Sequence, residues 1–210
     1  MKSCYTRDSC IAVGGGAIVT RLGPRIRRGE ERAVTRTLAR LGCPILRTIS
    51  GSGVAEGGSF AWLNSKTAVI GLSSRVNEEG ARQVEEVLRS QGVELLKVTL
   101  TGYRLHIDGL FVMLAPDLAL ANITLLPFWF LERLDALGIR RIEVHHEDDG
   151  SIINSLAIAP SRVIMPEGAS EYTQDQLRLA GVQVITVPYD KMIAGGGLHC
   201  STAPLVRDEV

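Results

Sequence analysis

A polar residue returns five times at the head of a short apolar run: Asp8, Glu56, Asp108, Asn154 and Cys200, at intervals of 48, 52, 46 and 46 residues. The runs are SCIAV, SFAWL, GLFVMLAP, SLAIAP and STAPL. Internal repetition at this period is the signature of stacked or circular repeats, so the chain must build one small unit several times over. If the units close into a ring, the five side chains point at a common axis. Three carboxylates, an amide and a thiol then meet, with His106 two residues from Asp108. Such a set is suited to holding a cationic planar group against a nucleophile.

Each unit reads strand, strand, helix, strand. In the second, SFAWLN and TAVIGL precede EEGARQVEEVLRSQG, which places Val84, Val87 and Leu88 on one helical face and Glu85 and Arg89 four apart. Gly92 follows as a stop signal and VELLKVTL reads as the closing strand. The other helices end near Gly42, Gly138 and Gly181, before PILRTI, IRRIEV and VQVITV. A doubly wound parallel sheet also alternates strands and helices. Against that, the unit here has three strands per helix and no phosphate-binding glycine loop opens a helix; GGGA at 14–17 and GGG at 195–197 lie between or before strands, where a turn or close backbone approach is the simpler use. The expectation is therefore α/β, a ring of ββαβ blades forming a single catalytic domain over residues 1–210. Four blades are complete. The fifth begins at HCSTAPL and lacks its helix and closing strand, so the chain reads as N-terminally shortened, with an open blade edge. A homodimer is one way of covering that edge.

With 23 Lys plus Arg against 23 Asp plus Glu, no net field points to nucleic acid or an anionic membrane. Residues 1–50 nevertheless hold ten Lys/Arg and three Asp/Glu, concentrated in RIRRGEERAVTRTLAR, which is expected to be a solvated helix face. No apolar run approaches the ~20 residues of a membrane span and no signal peptide opens the chain. Cys4, Cys10, Cys43 and Cys200 lack zinc-like spacing, so the expected location is a reducing cytoplasm.

A guanidinium keeps its charge at neutral pH and presents a planar fork of donors that carboxylates match. Attack on its resonance-stabilised carbon calls for a strong nucleophile, best a thiolate. A free cysteine titrates near ~8.5, so a cationic substrate or imidazolium must favour the thiolate. A histidine can then protonate the leaving amine and activate water, worth roughly 10²–10⁴-fold. Asp8, Glu56, His106, Asp108 and Cys200 supply every part. Singly, each has a plainer reading: a core cysteine, a structural histidine, turn carboxylates, and for Asn154 a strand-end residue. Their common place in the repeat favours a shared site.

The segments YTRD (5–8), AEGG (55–58), GLSSRVN (71–77), LHID (105–108) and GGGLHCSTAPLVRD (195–208) resemble the guanidino-group-modifying enzymes, which include arginine deiminases, dimethylarginine dimethylaminohydrolases and amidinotransferases. The similarity runs in order through nearly the whole chain. It implies the five-bladed α/β propeller, or pentein, fold, with the fifth blade incomplete here. It also implies Cys200 as nucleophile forming a thiouronium intermediate, His106 as general acid/base, and Glu56 orienting the histidine or holding a guanidinium nitrogen. Asp8 and Asp108 would clamp the guanidinium. Arg75 resembles a residue that meets the substrate's carboxylate in relatives, with a surface turn arginine as its other reading. Asp108 is more like the deiminases and amidinotransferases, which take an unsubstituted guanidinium; Glu56 resembles the hydrolytic branches; GLSSRVN is most like the dimethylarginine hydrolases. Ser59 stands where the family commonly has an acid.

The expected function is hydrolysis of a C–N bond in arginine or an arginine-like guanidino compound, with no metal or organic cofactor and a small molecule as partner. The alternatives are an amidinotransferase with the same nucleophile and a non-catalytic fragment of the family. HHEDD (145–149) is expected to be a solvated turn rather than a metal site, His199 a packed polar residue, and FWF (128–130), on the third helix, core or blade-to-blade packing rather than a ligand platform.

Overall fold

The computed structural model describes residues 4–189 and 196–206. Gly195 and the Arg-Asp pair at 207–208, part of the glycine and cysteine motifs above, lie outside the described residues.

Four copies of the strand–strand–helix–strand blade are present. The first comprises β1 (Cys10–Val13), β2 (Gly16–Val19), α1 (Glu30–Arg40) and β3 (Ile45–Thr48). The second comprises β4 (Phe60–Asn64), β5 (Thr67–Leu72), α2 (Glu78–Ser90) and β6 (Glu94–Thr99). The third has β7 (Phe111–Ala115), β8 (Leu118–Ala121), α3 (Phe128–Ala136) and β9 (Arg140–Glu143). After a single turn, α4 (Gly150–Ile153), the fourth has β10 (Leu156–Ala159), β11 (Arg162–Pro166), α5 (Glu171–Leu179) and β12 (Gln183–Val187). In every blade the first two strands form an antiparallel hairpin and the third pairs parallel to the second. This is the α/β-propeller repeat expected from the sequence.

The second blade shows why these residues adopt it. A hairpin needs only a short connection, and Asn64 Oδ1 accepts the Lys66 amide at 2.8 Å to close the turn between β4 and β5. A parallel partner needs a crossover, which α2 supplies. Asn77 caps that helix by accepting the Gly80 amide at 2.8 Å, and Glu78 and Glu79 occupy its electropositive first turn. Gly92 ends it in the left-handed region (φ +71°), as Gly42, Gly138 and Gly181 do in the other blades. The middle strand, TAVIGL, is paired on both edges and covered on both faces, hence its unbroken apolar run.

The chain divides into two compact units, one running to His106 and resuming at Cys200, the other spanning Ile107–His199. The first has its core in Ile18, Ile70, Val84 and Leu88, with Val87 partly buried against it. Trp62 Nε1 donates to the Ala12 carbonyl at 3.2 Å and ties its two blades together. A second cluster, Cys10, Ala17, Val19 and Leu38, is sealed by Ala203 and Leu205 from the far end of the chain. The second unit is built on Leu114, Leu120, Met165 and Leu177.

Two local expectations are corrected and a third is refined. Of FWF only Phe130 is core, edge-on to Phe111 at 5.5 Å; Phe128 and Trp129 are exposed. Glu85 pairs with Lys97 at 2.7 Å rather than with Arg89, because β6 lies beside α2 and offers a cation there. HHEDD is an exposed turn, as expected, but its aspartates also anchor two helices. Asp148 accepts from the Ser170 amide and hydroxyl at 2.8 Å each and from Thr173 Oγ1, fastening the start of α5, while Asp149 accepts the Ser151 amide at 2.7 Å and caps α4.

Candidate active site

The five recurring residues do not head strands directly. Asp8 lies in a single 3₁₀ turn (Thr6–Ser9), Glu56 immediately precedes another (Gly57–Ser59), and Asp108 and Cys200 lie within two more (Ile107–Gly109 and His199–Ser201). Asn154 closes α4. The turns carrying Asp8 and Asp108 and the one after Glu56 each take the chain out of extended conformation just before the first strand of a blade. Such turns carry no hydrophobic periodicity, so the sequence pattern showed the residues and not the device.

In the first unit, the structure brings Asp8, Glu56, His106 and Cys200 together. His106 Nε2 lies 2.7 Å from Glu56 Oε2 and 3.6 Å from Asp8 Oδ1. A ring nitrogen of His106 and the sulfur of Cys200 lie within 4.8 Å of each other. Asp8, Glu56 and Cys200 are buried; His106 keeps a small exposed edge. The histidine's backbone is fixed as well: the Leu105 carbonyl accepts from Ser73 Oγ at 2.6 Å and Ser59 Oγ at 3.4 Å. Ser59 thus serves the site as a backbone anchor. Gly58 must be glycine, since a Cβ there would stand 2.8 Å from Asp8 Oδ1 and 3.0 Å from His106 Nδ1.

Burial alone would raise the pKa of Glu56. The hydrogen bond and charge of His106, the Gly23 amide at 2.8 Å and the Arg75 guanidinium outweigh it and hold the carboxyl below its ordinary value. Cys10, by contrast, is pushed up to about 11 by burial, which the charge of Arg7 only partly offsets.

Two arginines complete the cluster in the first unit. Arg75 Nη1 meets Glu56 Oε2 at 3.2 Å, so it is no mere surface turn residue. Arg27, inside the basic stretch expected to be solvated, is buried: Nη1 lies 2.6 Å from Asp8 Oδ2, and Nη2 lies 2.9 Å from Glu30 Oε2 and 3.2 Å from the Tyr5 carbonyl. Composition could not single it out from its exposed neighbours Arg25 and Arg28. Its signal was spacing, for Arg27 follows Asp8 by the same 19 positions by which Arg75 follows Glu56. The segment carrying Cys200 is moored to the first blade. Thr6 Oγ1 donates to the Ser201 carbonyl at 3.4 Å and Arg7 Nη2 to Thr202 Oγ1 at 2.8 Å.

The second unit holds Asp108 and Asn154. Asp108 Oδ2 lies 2.9 Å from His199 Nδ1, which makes His199 a packed polar residue with a carboxylate partner. Asn154 is woven into the backbone: Nδ2 donates to the Asp108 carbonyl at 3.2 Å, and its own carbonyl accepts the His199 amide at 3.0 Å. A Cβ on Gly197 would collide with the Asn154 side chain, which explains one glycine of the GGG cluster as a close approach.

Asp8, Glu56 and His106 offer three oxygen and nitrogen donors within 4.8 Å of one another. A divalent cation there would have to displace Arg27 and Arg75, which already neutralise the two carboxylates. The set is better matched to proton transfer. An imidazole bridged to a buried carboxylate, beside a thiol, can take up and release a proton next to a sulfur nucleophile.

Comparison with known proteins agrees with this geometry. A family model for arginine deiminase matches residues 136–207. An arginine deiminase of Listeria monocytogenes is 27% identical over 98% of this chain, which spans 61% of that protein's length. The dimethylarginine dimethylaminohydrolase of Pseudomonas aeruginosa, solved as a cysteine-to-serine mutant with citrulline, superposes with a TM-score of 0.79 at 28% identity, over 93% of this chain and 73% of that one. The N-terminal domain of a cyanobacterial arginine dihydrolase, bound to product, shares the fold at 18% identity (TM-score 0.82, 98% and 77% covered). Sequence, fold and site agree in resembling the guanidino-group-modifying superfamily, which includes the arginine deiminases and dimethylarginine dimethylaminohydrolases.

Proposed function

We propose that the protein hydrolyses a C–N bond of arginine or an arginine-like guanidino compound through Cys200, without metal or organic cofactor, in the cytoplasm. The observation that carries this reading is the buried Cys200 sulfur within 4.8 Å of an imidazole nitrogen, on a histidine anchored at 2.7 Å to a fully buried glutamate. The Cys200 thiolate attacks the guanidinium carbon and forms a C–S bond. His106 delivers a proton to the departing nitrogen, which leaves as ammonia or an amine and gives a thiouronium. His106 then takes a proton from water, whose oxygen adds to the same carbon. The C–S bond breaks, leaving the ureido product and the thiolate. Glu56 holds the imidazole through both steps, and Arg75 meets the carboxylate of an amino-acid substrate. Asp8, Asp108 and Asn154 enter as guanidinium-binding groups on their recurring positions in the sequence.

The test is a screen of arginine, agmatine and methylated arginines for ureido product, with Cys200→Ser in parallel. Product from the parent that vanishes in the variant is expected; undiminished product from the variant would falsify the mechanism. Adding glycine, lysine or ornithine as acceptor distinguishes transfer of the amidino group from hydrolysis.

A further inference from the structure

The four residues after β2, Thr20–Gly23, are shared between the candidate active site and a separate cavity in the first unit. On the site's side, Thr20 Oγ1 donates to the Asp8 carbonyl at 2.6 Å and the Gly23 amide to Glu56 Oε1 at 2.8 Å. The same Thr20, with Arg21, lines a cavity of about 440 Å³ bounded also by the start of α1 and the end of β3. We propose that this cavity is an effector site for a small polyvalent anion carrying phosphate or carboxylate groups, coupled to Asp8 and Glu56 through Thr20–Gly23. Its ligand touches no group assigned to the reaction, so Asp8 stays available to the guanidinium. Only the coupling rests on the proposed function; the anion site does not.

The lining is strongly one-sided in charge. Arg21, Arg28 and Arg32 stand around the cavity against a single acid, Glu31. That acid is already engaged: Oε1 accepts the Leu22 amide at 3.2 Å and Oε2 accepts the Gly29 amide. The other acid of the segment, Glu30, is committed to Arg27. Arg21 Nη1 donates to the Gly51 and Gly53 carbonyls, and Arg28 Nε to the Leu22 carbonyl at 3.4 Å. Carbonyls orient a guanidinium without cancelling its charge. Among the described residues, no carboxylate pairs with Arg21, Arg28 or Arg32. Cations gathered round a concave surface concentrate anions, and guanidinium forks match phosphate and carboxylate with paired, charge-assisted hydrogen bonds. Thr20 and Thr48 add hydroxyls, and buried Ile49 an apolar floor. The volume of about 440 Å³ lies within the roughly 300–1,000 Å³ of small-molecule sites.

The coupling follows from what the shared segment holds. An anion bound to Arg21 and Arg28 fastens the segment at two points, at Arg21 itself and at the Leu22 carbonyl that Arg28 grips. Thr20 and Gly23 flank those points and hold the Asp8 backbone and the Glu56 carboxylate. Fixing them beforehand removes ordering that a guanidino ligand would otherwise have to impose, so the second ligand binds more tightly than the first. Coupling of this kind is reciprocal in binding free energy.

The test is isothermal titration calorimetry at constant ionic strength, with pyrophosphate and citrate as probes. One site per chain is expected; tighter pyrophosphate marks a phosphoryl ligand and tighter citrate a carboxylate one. Arg28→Gln and Arg32→Gln should each weaken binding roughly tenfold, the worth of one charge-assisted hydrogen bond. Both side chains are exposed, so these substitutions should leave the fold unchanged. No binding of either probe, or equal affinity in parent and variants, overturns the proposal. A polyglutamate peptide that binds where neither small anion does would put an acidic protein on this face, and overturns it too. For the coupling, arginine should tighten the better probe about fivefold or more in Cys200→Ser protein, and that probe should tighten arginine by the same factor. Arg32→Gln should erase both effects. Arginine that binds without altering the probe's affinity overturns the effector role. A protein that binds no guanidino compound would defeat the proposed function, while the probe titrations still decide the anion site.

Discussion

Glu56 Oε2 and His106 Nε2 are 2.7 Å apart, and the glutamate side chain has no solvent exposure. A buried carboxylate so placed fixes the ring and stabilises its charged form. Glu56→Gln should lower kcat by roughly 10²-fold, within the range for general acid–base catalysis. The same pair makes stability depend on pH. Because the folded-state pKa of Glu56 is depressed, its contribution is complete above the unfolded-state value of about 4.3 and is lost as pH falls through the lower folded value. Thermal melts between pH 3 and 6 should show a flatter acid limb in the glutamine variant; parallel limbs would refute the assignment.

Cys10 and Cys200 are equally buried at 5%, yet only one is expected to react. With its thiol near pH 11, Cys10 should stay unmodified by iodoacetamide at pH 7.5. Peptide mapping should find Cys200 alkylated faster than Cys10, with arginine-like ligands slowing that reaction. Equal rates would argue against an activated nucleophile.

Gly58 separates Asp8 from His106 by having no side chain. Gly58→Ala places a methyl 2.8 Å from Asp8 Oδ1 and 3.0 Å from His106 Nδ1, so one of the two must move. A kcat loss of about tenfold or more is expected, since general acid–base catalysis depends on geometry. Circular dichroism should show an unchanged fold.

Phe130 and Phe128 are two residues apart on α3 and opposite in consequence. Phe130→Ala should cost about 3–5 kcal/mol in urea denaturation, because the ring is fully buried against Phe111. Phe128→Ala should fall within about 0.5 kcal/mol of the parent.

Asp148→Ala removes the acceptor for Ser170 and Thr173 at the start of α5. A loss of about 1–3 kcal/mol is expected. Hydrogen exchange should show the protection of residues 171–179 falling before that of β11.

The blade repeat was legible because it rests on patterns that short-range physics enforces: apolar runs for paired strands, a 3.6 periodicity for α2, and Gly92 with its equivalents where the helices stop. Asp8, Glu56 and Cys200 were legible because repetition singled them out, and His106 because it stands two residues from the recurring Asp108. Arg27 was not. A buried arginine and a solvated one read identically in a string of basic residues, and what separates them is a carboxylate 19 positions away, brought close only by the fold. Asp148 was missed for the matching reason: an acid in a polar loop reads as solvated unless the hydroxyls that will find it are known.

Ala203 and Leu205 seal the cluster formed by Cys10, Ala17, Val19 and Leu38, and Thr6 and Arg7 bind the residues just after Cys200. Made on a ribosome, the first blade is therefore synthesised early and finished late, its core open until residues 203–205 emerge. Domains that wait for a distant segment expose apolar surface in the interval. The same delay gives an order to assembly: the imidazole and its carboxylates are made first, and the Cys200 sulfur arrives after them, on the stretch of chain that closes the blade.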